Sequence, residues 1–205
     1  MWVYIVDDER DVAETIGMTL QGAGHQVASF TSGDAFLSVC EDLTPGCVLL
    51  DLLLPQKDGL QVQEELEQKV SCHAVAVVTG YGDVPDAVRA MRAGAIDFLR
   101  KPFSRSELFD VLDRAQAYID ECLRRREAAQ RFAPLQGLSS RENQVLRALG
   151  RGLSTKQVAS ELAVSVRTID MHRANIMKKL KIGNMTAALL LARDAEALAG
   201  LSPRR

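Results

Sequence analysis

The sequence predicts a doubly wound α/β domain with a five-stranded parallel sheet, followed by a small all-α domain. Three observations predict it. Short apolar runs and helical patterns alternate five times before residue 103. One run, Ala74-Val75-Ala76-Val77-Val78, is apolar throughout, as a central parallel strand buried on both faces must be. Charge then divides: residues 1–136 carry 13 Lys+Arg against 22 Asp+Glu (−9), and residues 137–205 carry 12 against 5 (+7). An acidic front and a basic back suggest two domains, the second facing a polyanion, although surplus surface charge on a small domain is also ordinary.

Trp2 to Val6 is aromatic and β-branched, hence a strand, and it ends in Asp7-Asp8-Glu9. Val12, Ile16 and Leu20 recur at helical spacing until Gly22-Ala23-Gly24. His25 to Phe30 is the second strand, and Ser32-Gly33-Asp34 opens a helix through Phe36, Leu37 and Cys40. Val48-Leu49-Leu50 is the third strand, ending in Asp51. The turn Pro55-Gln56-Lys57-Asp58-Gly59 leads to a helix with Leu60, Val62 and Leu66 inward. The strand at Ala74–Val78 ends in Thr79. Pro85 lies near the start of a helix carrying Ala87, Val88 and Met91, and Gly94 stops it. Ile96 to Leu99 is the fifth strand, closed by Lys101-Pro102.

A carboxylate inside an apolar run is costly unless it sits at the strand's mouth or meets a cation. Strand ends on one rim of a doubly wound sheet converge, so Asp7, Asp8, Asp51, Thr79 and Lys101 can share a site. Each alone is weak: a solvated acidic turn, a turn threonine, a solvated Lys-Pro stop. Together they suit phosphoryl transfer to a carboxylate. Asp51 is the expected nucleophile. Asp7 and Asp8 are expected to hold Mg²⁺ through oxygen ligands, Lys101 to bring a point charge and Thr79 a hydroxyl donor.

With these residues in place, residues 1–120 resemble the receiver domain of bacterial two-component response regulators, a flavodoxin-like fold. The resemblance rests on Asp7-Asp8, Asp51 with Pro55 and Gly59 behind it, Thr79-Gly80, and Lys101-Pro102. It implies that Asp51 is the phosphoacceptor and that the backbone carbonyl of Leu53 joins Asp7, Asp8 and Asp51 around Mg²⁺. It also implies that Thr79 and Lys101 contact the phosphoryl group, that Phe98 is the rotating aromatic switch, and that the Lys101–Pro102 bond is cis. Leu53 is apolar where many relatives carry a polar residue.

Ser106 to Arg131 is one long helical pattern. Leu108, Leu112, Ala115, Ile119 and Cys122 form a heptad seam, and the charged stretch from Arg124 lacks a core face. Residues 121–136 therefore read as a helical linker, either coupling a dimer or trailing in solvent from a single docked helix. Pro134 and Gly137 mark the boundary.

Residues 137–205 then read as helices alone. Ser139–Glu142 and Ser154–Gln157 are capping boxes, and Ser165 is a good N-cap for Val166 to Leu180. Two short helices joined by a tight turn, the second basic, form a helix-turn-helix. Ile169, Ile176 and Leu180 face inward; Arg167, Thr168, Asp170, Met171, Ala174, Asn175 and Lys178 face outward. Asn184 caps a last helix. Asp170, Met171 and Ala174 are placed to read bases, unless Asp170 only pairs with a neighbouring arginine. Lys156, Arg167, Thr168 and Lys178 suit phosphates, and His172 reads as a structural hydrogen-bonder.

Residues 135–197 resemble the LuxR/NarL-type DNA-binding domain. The carrying residues are Leu138-Ser139, Arg141-Glu142, Gly152, Ser154, Lys156, Ala159, Thr168-Ile169, His172 and Lys179-Leu180. With Gly80 to Pro85 and His172-Arg173-Ala174-Asn175, the whole chain resembles the FixJ subgroup. Thr155 stands where relatives often have Asn.

The resemblance implies a DNA-binding transcriptional regulator, commonly an activator, and not an enzyme. Its expected partners are a cognate sensor histidine kinase, double-stranded DNA with paired half-sites and a second copy of the chain on phosphorylation; RNA polymerase is a further candidate. One rival is a constitutive regulator whose receiver does not switch. Another is an aspartyl-phosphate phosphohydrolase of the haloacid-dehalogenase type, against which Leu53 stands where the second Asp belongs. The four cysteines show no CxxC spacing and read as reduced thiols of a cytoplasmic protein. No apolar run approaches the roughly 20 residues of a membrane span, and Met1 to Val6 lacks a basic flank and is too short for a signal peptide.

Overall fold

Strands β1 (Trp2–Val6), β2 (Gln26–Phe30), β3 (Gly46–Asp51), β4 (Ala74–Thr79) and β5 (Asp97–Arg100) form one parallel sheet in the order β2-β1-β3-β4-β5. The structure, a computed structural model, describes residues 1–69, 71–80 and 84–201. Tyr81, Gly82 and Asp83, and the side chains of Val84 and Pro85, lie outside the described residues. Two compact units, Met1–Arg124 and Arg125–Arg205, are each described by themselves.

Register explains why the strand ends meet. Val6 is the partner of Leu50, so Asp7 and Asp51, each the next residue, emerge side by side. Thr79 is the partner of Arg100, which places Lys101 beside the end of β4. β3 and β4 are buried at every position, as their unbroken apolar runs require.

Helices α1 (Arg10–Gly22), α2 (Gly33–Leu37), α3 (Gly59–Gln68), α4 (Val84–Arg92) and α5 (Arg105–Gln136) follow the strands in alternation. On one sheet face Val3, Ile5, Leu49, Ala76 and Val78 pack with Ile16 and Leu20 of α1 and with Leu108, Leu112, Ala115 and Ile119 of α5. The first four seam residues are thus core of this unit. On the other face Tyr4, Val6, Val48 and Leu50 meet Phe36, Val62 and Leu66. α2 ends at Leu37 rather than Cys40, where the Ser38 hydroxyl turns back to the Ala35 carbonyl. α5 runs past the expected Arg131, with Pro134 inside its last turn.

One expectation is corrected. Cys72, just before β4, and Cys122, on α5, form a disulfide across 50 residues of sequence with Cα atoms 5.7 Å apart. The pair is brought together by packing of α5 on the sheet, which no local spacing announces. Closing a loop of that size stabilises by about 4 kcal/mol in the chain-entropy account. Cys40 and Cys47 are free and buried.

The second unit contains α6 (Ser140–Gly150), α7 (Thr155–Glu161), α8 (Val166–Leu180) and α9 (Met185–Leu201). Their core includes Val145, Leu146, Val158, Ile169, Ile176, Leu180 and Ala188. Ile169, Ile176 and Leu180 thus point inward as their spacing requires. Arg131 ties the end of α5 to Asp194 of α9 (2.9 Å).

Candidate functional site

Asp51 ends β3 with only 5% of its surface exposed, and Asp7 follows β1 at 3%. Buried carboxylates need partners, and each has two. Leu53 N–H donates to Asp51 Oδ1 (3.0 Å) and Glu9 N–H donates to Asp7 Oδ1 (2.9 Å). The Lys101 ammonium donates to the remaining oxygens, 2.6 Å from Asp51 Oδ2 and 2.7 Å from Asp7 Oδ2. Glu9 lies farther off at 3.9 Å. Burial works against the charged form of Lys101, but its bonds to Asp51 and Asp7 outweigh that and hold its pKa above the ordinary lysine value.

Lys101 itself is held by its backbone N–H, which donates to the Thr79 carbonyl (2.8 Å), and the Lys101–Pro102 bond is cis, as the resemblance implied. Thr79 is fully buried. Phe98 packs partly buried against Leu52, Leu60, Val77, Ala90 and Ala95. Asp7, Glu9 and Asp51 each offer an oxygen within 4.8 Å of the others, a hard donor set that fits a divalent cation. Asp8 is exposed and is not among these three acids. Glu9 stands in the cluster instead, and the triplet Asp7-Asp8-Glu9 is its only signal in the sequence. The Leu53 side chain is 58% exposed.

The Asp58–Gln61 capping box starts α3 directly under this site. A side chain on Gly59 would put its Cβ 2.2 Å from the Asp51 carbonyl oxygen and 2.8 Å from Leu52 Cα. Backbone must shift to admit it. On the receiver resemblance, Gly59→Ala is therefore expected to displace Asp51 and slow phosphoryl uptake about tenfold or more, since small misplacements of reacting groups are costly. A time course of phosphorylation with a small phosphodonor checks this.

In the second unit the two capping boxes form as read: Ser139 with Glu142, and Ser154 with Gln157. Ser165 caps α8. Glu142 is nearly buried and also accepts from Lys179 Nζ (2.7 Å). The bonds from Lys179 and the Ser139 N–H hold its carboxyl below the usual glutamate range. A depressed carboxylate stabilises above its unfolded value and loses that stability as pH falls through the folded one. The second unit is thus expected to weaken as pH drops below about 4.3. Glu142→Gln should flatten that slope in thermal melts taken across the acid range.

On α8, Arg167, Asp170, Met171, Ala174, Asn175 and Lys178 are exposed and Thr168 is half-buried, as is expected of a recognition helix. Lys156 of α7 is exposed as well. The Asp170 carboxylate accepts from Arg173 (3.3 Å), and Arg173 also donates to Thr155 Oγ1 (3.1 Å). Thr155 thus ties α7 to α8 from the position where relatives often carry Asn. His172 Nδ1 is buried with no partner among the described residues.

Known proteins share this organisation. The response regulator receiver domain model matches residues 3–113, and the model for bacterial regulatory proteins of the luxR family matches residues 136–192. Transcriptional regulatory protein FixJ of Azorhizobium caulinodans is 37% identical over 202 residues, 98% of this chain and 94% of that protein. The solved structure of response regulator StyR covers 94% of this chain and 98% of its own, with a TM-score of 0.76 at 34% identity. Full-length FixJ from B. japonicum matches 96% of this chain and 97% of its own, with a TM-score of 0.58 at 34% identity.

Proposed function

The chain belongs to the two-component response regulators that join a receiver domain to a LuxR-type DNA-binding domain, and from that premise we propose that phosphorylation of Asp51 switches its binding to DNA. This family consists of transcription factors, not enzymes, which removes the phosphohydrolase alternative. The observation that carries the proposal is the Lys101 ammonium bridging Asp51 and Asp7 at one rim of the sheet.

A sensor histidine kinase supplies the phosphoryl group. Its N–P bond breaks as an Asp51 carboxylate oxygen bonds to phosphorus. Asp7, Asp51 and either Asp8 or Glu9 would hold Mg²⁺, with the Leu53 carbonyl as a further ligand. Bound there, the ion would offset charge on the carboxylate and the incoming group. Lys101 shifts from Asp51 to a phosphoryl oxygen, and the Thr79 hydroxyl moves inward to another. Phe98 follows into the space released. The altered surface of α4 and β5 then pairs two copies, and a pair can hold two half-sites that one small domain holds weakly.

In this reading residues 1–120 are the receiver, 121–136 a helical linker and 137–205 the DNA-binding domain, working in the cytoplasm and commonly as an activator. No helix among the described residues is long and apolar enough to cross a membrane. Lys156, Arg167, Thr168 and Lys178 hold backbone phosphates; Met171, Ala174 and Asn175 face base edges, and Asp170 joins them if Arg173 releases it.

The test adds a small phosphodonor and Mg²⁺ to the full chain, then follows intact mass, oligomeric state and affinity for promoter DNA. One phosphoryl group, a dimer and about tenfold tighter binding are expected. Unchanged affinity in a phosphorylated protein would leave the constitutive alternative in its place.

A further inference from the structure

Buried contacts of α5 with the sheet end at Ile119; Leu123 is half-buried and the helix is exposed over Arg124–Glu127. Between them stands Cys122, bonded to Cys72. The disulfide is therefore a covalent tie of α5 to its unit beyond the last buried contact, two residues short of that unit's end at Arg124, with only the half-buried Leu123 packing on the core after it.

We propose that Cys72–Cys122 is a thiol–disulfide switch that fixes or frees the end of α5, and so gives the chain a redox input beside phosphorylation. The coupling to DNA binding rests on the function proposed above; the freeing of the helix does not.

The surroundings suit the chemistry. Cys122 is half-buried whereas Cys72 is 2% exposed, so Cys122 is the sulfur open to attack. A small thiolate bonds to the Cys122 sulfur as the Cys72–Cys122 bond breaks, and Cys72 leaves as thiolate and takes a proton. A second small thiol then attacks the mixed disulfide, releasing the Cys122 thiol and a small disulfide. Two small thiols are oxidised and one protein disulfide is reduced; a small disulfide runs the sequence backward.

The other thiols do not compete. Cys40 and Cys47 are both buried, out of reach of a small thiol, and burial pushes Cys47 up to about 12 and raises Cys40 as well. Exchange is confined to one pair.

The experiment takes the full chain, wild type and Cys122→Ser, in oxidised and in reduced glutathione. Alkylation after denaturation counts thiols, hydrogen exchange follows residues 119–124, and DNA affinity is measured after phosphorylation. Oxidised wild type should show two free thiols and reduced wild type all four. Exchange at 119–124 should quicken about tenfold on reduction. Cys122→Ser should exchange like reduced wild type in both buffers, and the DNA affinity of phosphorylated wild type should change about threefold or more between them. Four free thiols in oxidised glutathione, equal exchange in both buffers, or equal DNA affinity would each overturn the switch. Phosphorylation-dependent binding that survives such a failure leaves the proposed function standing. An exchange difference in a protein that never binds DNA would sink that function instead.

Discussion

Asp51→Asn is expected to take up no phosphoryl group and to keep the DNA affinity of the unphosphorylated chain whatever donor is supplied. Asn is nearly isosteric, but its amide nitrogen is no nucleophile toward phosphorus, and no neighbouring carboxylate stands in the same place. Asp51 accepts from both Leu53 N–H and Lys101. An amide offers one acceptor, so one of those donors loses its partner at a cost of about 1–2 kcal/mol. Removing one of the clustered negative charges offsets part of this. The fold should therefore persist, and a thermal melt beside the phosphorylation assay separates lost chemistry from lost structure. Phosphoryl uptake by the variant would move the acceptor to another residue.

Lys101→Met should have the second largest effect, and it divides into two. Asp7 and Asp51 would lose the ammonium that bridges them in the structure. Breaking a buried pair by removing one partner typically costs about 3 kcal/mol or more. Without Mg²⁺ the variant should melt well below wild type. Added Mg²⁺ should recover more stability in the variant than in wild type, because a cation would take over the missing charge. Phosphorylation should slow about a hundredfold, with the charge on the transferring group left uncompensated. Equal stabilisation of both proteins by Mg²⁺ would separate Lys101 from the acid cluster.

Both predictions turn on residues that the sequence marks. Asp51 is conspicuous as an acid closing an apolar strand, and parallel register does the rest by carrying Asp7 and Lys101 to the same rim. The helix starts are equally open to reading, because a capping box is local chemistry: Ser139 with Glu142 and Ser154 with Gln157 need only four residues each. What stays hidden depends on where chain segments go. Cys72 and Cys122 meet because α5 lies across the sheet, not because of their spacing. Glu9 rather than Asp8 joins the acid cluster because of how the chain turns after β1, where Asp7 Oδ1 captures the Glu9 N–H. Asp170 reads as a base contact unless a neighbouring arginine holds it, and Arg173, one turn along α8, is within reach of its carboxylate.

Among the described residues, the apolar clusters of the first unit draw on none after Leu123, and that of the second on none before Leu135. A genetic crossover between codons 124 and 134 therefore exchanges either half without opening a core. Natural recombination has an easy seam here, and lineages can inherit a new set of promoters while keeping the old sensor.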